Sequence, residues 1–121
     1  MLSEQLTSYV PSKVRSRGLV YYATGQVSVI KGDAWRLDTI VEGGKRYEVK
    51  LERAGNAIEA SCTCPYVESF DEPCKHIWAS ILVAQAKKYL QGDGRPSSRK
   101  LTLALVTSED DIEDDGPSNP S

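Results

Sequence analysis

Three cysteines and a single histidine are the residues of this sequence best equipped for chemistry, and all four fall within 15 residues. Cys62-Thr63-Cys64 is followed, after nine residues, by Cys74-Lys75-His76, which reads C-x-C-x9-C-x-H. Two close pairs of such donors suit a tetrahedral zinc site, with sulfur at about 2.3 Å and imidazole nitrogen at about 2.0–2.1 Å. A single histidine and the lack of a fourth cysteine favour zinc over an iron–sulfur cluster. Taken singly, buried cysteines behave as small hydrophobes. Their confinement, in pairs, to one window points instead to Cys62, Cys64, Cys74 and His76 as ligands of one structural zinc ion. Four such ligands leave no open coordination position, so no catalytic residue is assigned and the chain does not read as an enzyme. A Cys74–His76 nucleophile pair would leave Cys62 and Cys64 without a role. The nearby Glu68, Asp71 and Glu72 read as a solvated loop.

Those ligands need a strand, a loop and a helix to bring them together. In a regular strand Cys62 and Cys64 would point to one face, about 6.5 Å apart. A turn at Thr63-Cys64-Pro65 shortens that separation. Residues two apart on a helix do not face each other, so Cys74 must precede the first full turn and His76 lie inside it. Upstream, four segments alternate apolar and polar residues between turn signals. Gln26–Lys31 is the first. Trp35, Leu37, Thr39 and Val41 share one face of the second, with Arg36, Asp38 and Glu42 on the other. Tyr47, Val49 and Leu51 mark the third, and Ile58, Ala60 and Cys62 the fourth. Gly32-Asp33, Gly43-Gly44 and Gly55-Asn56 make the turns. This pattern predicts an antiparallel meander with one wet face.

Helices flank the meander. Ser12 reads as an N-cap for a basic helix over Lys13–Ala23, with Val14, Leu19 and Tyr22 as its apolar stripe and Gly25 as a left-handed cap. Lys75–Gln91, free of proline and glycine, reads as a second helix stopped by Gly92. Ile77, Ile81 and Ala84 form its stripe, with Trp78, Leu82 and Tyr89 beside it. The expected fold class is α+β: an N-terminal short helix, a four-stranded antiparallel meander, a zinc-binding loop, and a C-terminal helix packed on the sheet. Residues 1–11 read as a flexible lead-in, 12–92 as the domain, and 93–121 as a linker with an acidic disordered tail. Within that linker, residues 101–106 read equally as a short strand or as irregular chain.

The formal net charge of −2 hides a segregation. Six of the 17 acids sit in residues 109–115, which leaves 11 against 15 bases in residues 1–108. The body is thus mildly basic and the tail strongly acidic. A tail ending Gly-Pro-Ser-Asn-Pro-Ser buries little apolar surface and predicts a module of a longer protein. An odd cysteine count and the lack of a signal-like N-terminus predict a reducing compartment. No apolar run reaches the roughly 20 residues that span a bilayer, so no membrane association is expected.

The Cys62-Thr-Cys-Pro65 and Pro73-Cys-Lys-His-Ile-Trp78 words, followed by an Ala/Ile/Leu-rich helix, resemble the SWIM zinc finger. Arg17-Gly-Leu-Val-Tyr-Tyr22, Gly25-Gln-Val27 and Val41-Glu-Gly-Gly-Lys-Arg-Tyr-Glu-Val49 are similar to the N-terminal SWIM module of bacterial Swi/Snf-type helicase-like ATPases. The resemblance spans roughly residues 12–91. It implies that Cys62, Cys64, Cys74 and His76 hold zinc, that the module binds nucleic acid or protein, often beside a motor, and that it works in the bacterial cytoplasm. The chain itself contains no G-x-x-x-x-G-K-[ST] phosphate loop, so a motor activity does not carry over.

Two kinds of partner follow. For DNA or another nucleic acid, the candidate contacts are Lys13, Arg15 and Arg17 on the first helix, Lys45 and Arg46 at the third strand, and Lys75, Lys87 and Lys88 on the second helix. Lys50 and Arg53 add charge along the third strand, but its outer face alternates in sign and makes no basic stripe. Tyr21, Tyr22 and Tyr66 could stack on bases, although each also suits packing. For a protein partner, or the rest of a parent chain, Tyr66 and Phe70 in the polar loop are the candidate anchors.

Overall fold

Period-two alternation builds the sheet as expected. The computed structural model describes residues 2–64, 73–92 and 101–106. Strand β1 spans Val27–Gly32, β2 Arg36–Gly43, β3 Lys45–Ala54 and β4 Ala57–Cys62, each antiparallel to the next. Leu37, Thr39 and Val41 on β2, Val49 and Leu51 on β3, and Ile58, Ala60 and Cys62 on β4 line one buried face. The opposite face is wet apart from the buried Ile40, with an Arg36–Asp38 ion pair at 3.2 Å. Trp35 departs from its expected buried face and is 46% exposed. It precedes β2, where Asp33 Oδ1 accepts the Trp35 and Arg36 N–H groups in an Asx turn. Gly44, with φ +91°, turns β2 into β3, a conformation that side chains with a Cβ disfavour.

A fifth strand corrects the four-stranded expectation. β5, Thr102–Leu105, pairs parallel to β4, so the sheet order is β1-β2-β3-β4-β5. Leu101 and Leu103 are buried. The hexamer is ambiguous in sequence because its partner strand lies some 45 residues earlier.

Among the described residues three α-helices lie on the dry side of the sheet, one packed on it and the other two packed against that one. α1 is Leu2–Leu6, followed by a 3-10 turn at Thr7–Tyr9. The lead-in is therefore ordered: Leu6 and Val10 are buried, and Ser3 donates through N–H and Oγ to Gln85 Oε1 at 2.9 and 2.7 Å. α2 is Ser12–Ala23, so Ser12 is its first residue and makes no side-chain cap. Its buried line is Val14 and Gly18, and the expected Leu19 and Tyr22 are exposed. The cause is Gly18, where a Cβ would stand 2.8 Å from both the Lys75 carbonyl and Trp78. The two helices pack closely at that point, and Leu19, the next residue, faces outward.

α3 is Lys75–Lys87, shorter than expected. It stops at Lys88 in the left-handed region, not at Gly92. Leu90, also left-handed, is fully buried, its N–H bonded to the Asp33 carbonyl and its own carbonyl accepting from Arg53. Tertiary contacts hold this turn where local preference would place a glycine. Sheet, α1 and α2 all press on α3, so it is buried on more faces than one amphipathic stripe implies. No described helix is long and apolar enough to cross a membrane.

Candidate metal centre

The centre forms where β4 ends and α3 begins. Cys62 is the last residue of β4, Cys64 lies two residues beyond, Cys74 is the N-cap of α3, and His76 sits in its first turn. All four side chains are buried, and their donor atoms lie within 4.8 Å of one another. Thr63 fixes the first pair. Its N–H donates to the Glu48 carbonyl at 3.1 Å, and its Oγ1 accepts from the Glu48 N–H at 3.0 Å. This two-way clip to β3 lets the chain bend between Cys62 and Cys64 while remaining anchored to the sheet. The second pair is set by Cys74 in extended conformation, with its carbonyl already accepting the Trp78 N–H.

His76 Nδ1 stands 3.7 Å from both the Cys62 and the Cys74 sulfur. Tetrahedral zinc, with the bond lengths given above, separates sulfur from nitrogen by about 3.5 Å. The donor set therefore fits zinc in type, number and spacing. The imidazole is held by rings more than by hydrogen bonds. Tyr47 stacks on it at 4.5 Å between centroids, and Tyr21 packs at 5.4 Å on a tilt. Nε2 is buried without a hydrogen-bond partner among the described residues. Behind the ring, Ser80 Oγ donates to the His76 carbonyl at 3.0 Å and meets Thr39 Oγ1 at 2.7 Å. With the Ser80 proton so used, Thr39 is the donor between them. Neither the clamp nor this thread stands out in sequence, where Tyr47 and Thr39 read as ordinary strand residues. Their alternation with the buried apolar residues, which puts both on the dry face, is the available signal; in the register Thr39 is level with Cys62 through Val49.

Crowding raises the thiols. Hydrogen bonding with Cys64 and Cys74, together with burial, pushes Cys62 well above the ordinary thiol range. For Cys74 the bond to Cys62 pulls down, but Cys64 and burial outweigh it, and the thiol is pushed up to about 12. A bound divalent cation inverts this preference, because a coordinating thiol is deprotonated. Loading the centre at neutral pH therefore releases protons.

A cleft of about 190 Å³ opens beside the centre. Tyr47, Cys64, Cys74 and His76 form its inner wall, and Arg17 and Lys75 are the charged groups lining it. Lys75 Nζ also sits 5.4 Å over the Tyr21 ring. The other basic candidates are dispersed. Arg15 Nε donates to the Val10 carbonyl at 3.0 Å, which commits it to holding α2. Lys45 and Arg46 lie on the β2–β3 hairpin, with Arg46 opposite Glu42. Lys87 and Lys88 are at the other end of α3, roughly 18 Å along the helix. Tyr21 is taken up by packing on His76. Tyr66 and Phe70 lie outside the described residues, as do the acidic tail and the 65–72 loop.

A buried Cys3His set pinned between a strand end and a helix start defines the class: a structural zinc finger. In the comparison with family models, residues 47–85 match the SWIM zinc finger. The matched stretch contains the clustered Cys62, Cys64, Cys74 and His76, a donor set consistent with one structural zinc. The searches of curated proteins and of solved structures gave no match.

Proposed function

We propose that this module uses its zinc centre to hold a DNA-contacting surface rigid, as an accessory part of a larger, Swi/Snf-type helicase-like protein. Cys62, Cys64, Cys74 and His76 are the ligands in this reading, and the ion does no chemistry beyond fixing the fold. The observation that carries the reading is the cleft beside the centre. Its described lining holds two cations, Arg17 and Lys75, and no carboxylate. Phosphate contacts need such charges on a fixed scaffold. Lys13, one turn before Arg17, extends the basic end along α2, whereas Lys45 and Arg46 lie apart on the hairpin. Lys87 and Lys88 lie too far along α3 to join it.

Titration of double- and single-stranded DNA across a salt series tests this reading. Arg17→Ala and Lys75→Ala should each reduce the logarithmic salt slope on duplex DNA by about 0.9, the share of one neutralised phosphate. Absence of binding at low salt would turn the reading toward a protein platform. One observation favours that second function: Leu19 and Val20, adjacent on α2, are 53% and 58% exposed. A partner protein or the parent chain could cover them.

A further inference from the structure

The parallel pairing of β5 decides where the rest of the chain emerges. Ala57 stands opposite Thr102 and Ala60 opposite Leu105, so β4 and β5 run the same way. The C-terminal end of β4 carries Cys62. The Val106 N–H bonds to the Ala60 carbonyl at 2.8 Å, so the chain leaves the sheet at the metal-bearing end. An antiparallel β5 would have sent it to the opposite end. Three residues beyond Val106 the sequence enters Glu109-Asp110-Asp111-Ile112-Glu113-Asp114-Asp115.

The basic cleft sits at this same end. Arg17 and Lys75 line it, and Lys13 is exposed one helical turn before Arg17. Three thiolates around a divalent ion leave one negative charge, which these three cations exceed. Reach is ample: ten residues extend up to about 33 Å, whereas neighbouring strands lie about 4.8 Å apart. A covalent tether of this length also raises the local concentration of the acids to the order of millimolar. Weak charge pairs then suffice for occupancy at low salt.

We propose that the acidic segment 109–115 docks on the Lys13–Arg17–Lys75 rim of its own chain, as a tethered competitor for anions. The docking stands by itself, and its competition with DNA rests on the function proposed above. The test uses the full zinc-loaded chain and a variant with the six acids neutralised (E109Q, D110N, D111N, E113Q, D114N, D115N). Amide resonances of Arg17, Lys75 and their neighbours should differ between the two at low salt and converge at about 0.5 M salt, where screening is short-ranged. Identical rim resonances at low salt, or differences confined to another surface, would overturn the docking. DNA titration of the same pair is read separately. Tighter binding by the neutralised chain, of order tenfold at low salt, supports competition. Equal binding overturns competition. Rim shifts without DNA binding by either chain would retire the DNA reading and leave the docking standing.

Discussion

At the scale of residues, the zinc ligands are legible in the sequence because cysteine and histidine are scarce here and their spacing is chemical. The residues that steer them are not, since Tyr21, Tyr47 and Gly43 are ordinary types whose role exists only in three dimensions. A Cβ on Gly43 would collide with the Tyr21 ring, which in turn packs on His76. Gly43→Ala should therefore push Tyr21 off the imidazole and lower zinc affinity by about tenfold, the lower end of losses seen for supporting residues of metal sites. Competition against a chelator of known affinity measures this. Gly25→Ala, at a glycine with open space around it, should leave zinc affinity unchanged while costing about 1 kcal/mol of stability for its positive φ. The thiols add a pH signature. In the zinc-free fold Cys74 is raised from 9.0 to about 12, so the folded state keeps a proton that the unfolded chain has released. That contribution is fully present below about 9 and is lost as pH rises toward 12. The zinc-loaded form runs the other way, because acid competes with the ion for thiolates. Thermal melts with and without chelator, from mildly acidic to alkaline pH, should show these opposite slopes.

At the scale of elements, helix α3 couples the sheet to the centre through Thr39 and Ser80. Ser80→Ala strands the buried Thr39 hydroxyl and should cost about 1–3 kcal/mol. Thr39→Val removes one neutral hydrogen bond and should cost about 1 kcal/mol. The double variant, which leaves no orphan, should be more stable than the sum of the two losses implies. Urea unfolding of all four chains measures the coupling, and strict additivity would show that the thread does not link strand to helix. The meander is readable in the sequence because period-two alternation and glycine turns are local signals. β5 is only half readable, as strand or irregular chain, and α1 is not readable at all, for the opposite reason. Each is too short to declare itself, and each is stabilised by distant partners: β5 by β4, α1 by Gln85 and the buried seats of Leu6 and Val10. The end of α3 escapes local signals likewise. Lys88 and Leu90 adopt left-handed backbone because Asp33 and Arg53 hold that turn from outside the helix.

At the scale of the molecule, the fold has two poles tied by one central helix. The distal pole is secured by hydrogen bonds: Leu90 to Asp33, Gly92 to Ala34, and Arg53 to Leu90. The metal pole has the Thr63–Glu48 clip and the aromatic clamp, but its helix start carries no side-chain cap. Cys74 occupies that N-cap position, so a bond from its sulfur to a bound metal would take the place of the usual anchor of the first turn. Metal binding in such sites contributes directly to folding. Chelation should then open the molecule from one end. Amides of Thr63 and of Trp78 should exchange first, because Thr63 itself lies between two ligands in the knuckle and the Trp78 amide bonds to the Cys74 carbonyl at the helix start. Amides of β2 and β3 away from Cys62, and the Leu90 amide bonded to Asp33, should keep their protection longest. Hydrogen exchange followed residue by residue, before and after chelator, resolves the order. Uniform loss across the sheet and the distal pole would mean that zinc supports the whole fold as one cooperative unit rather than the pole that presents Arg17 and Lys75.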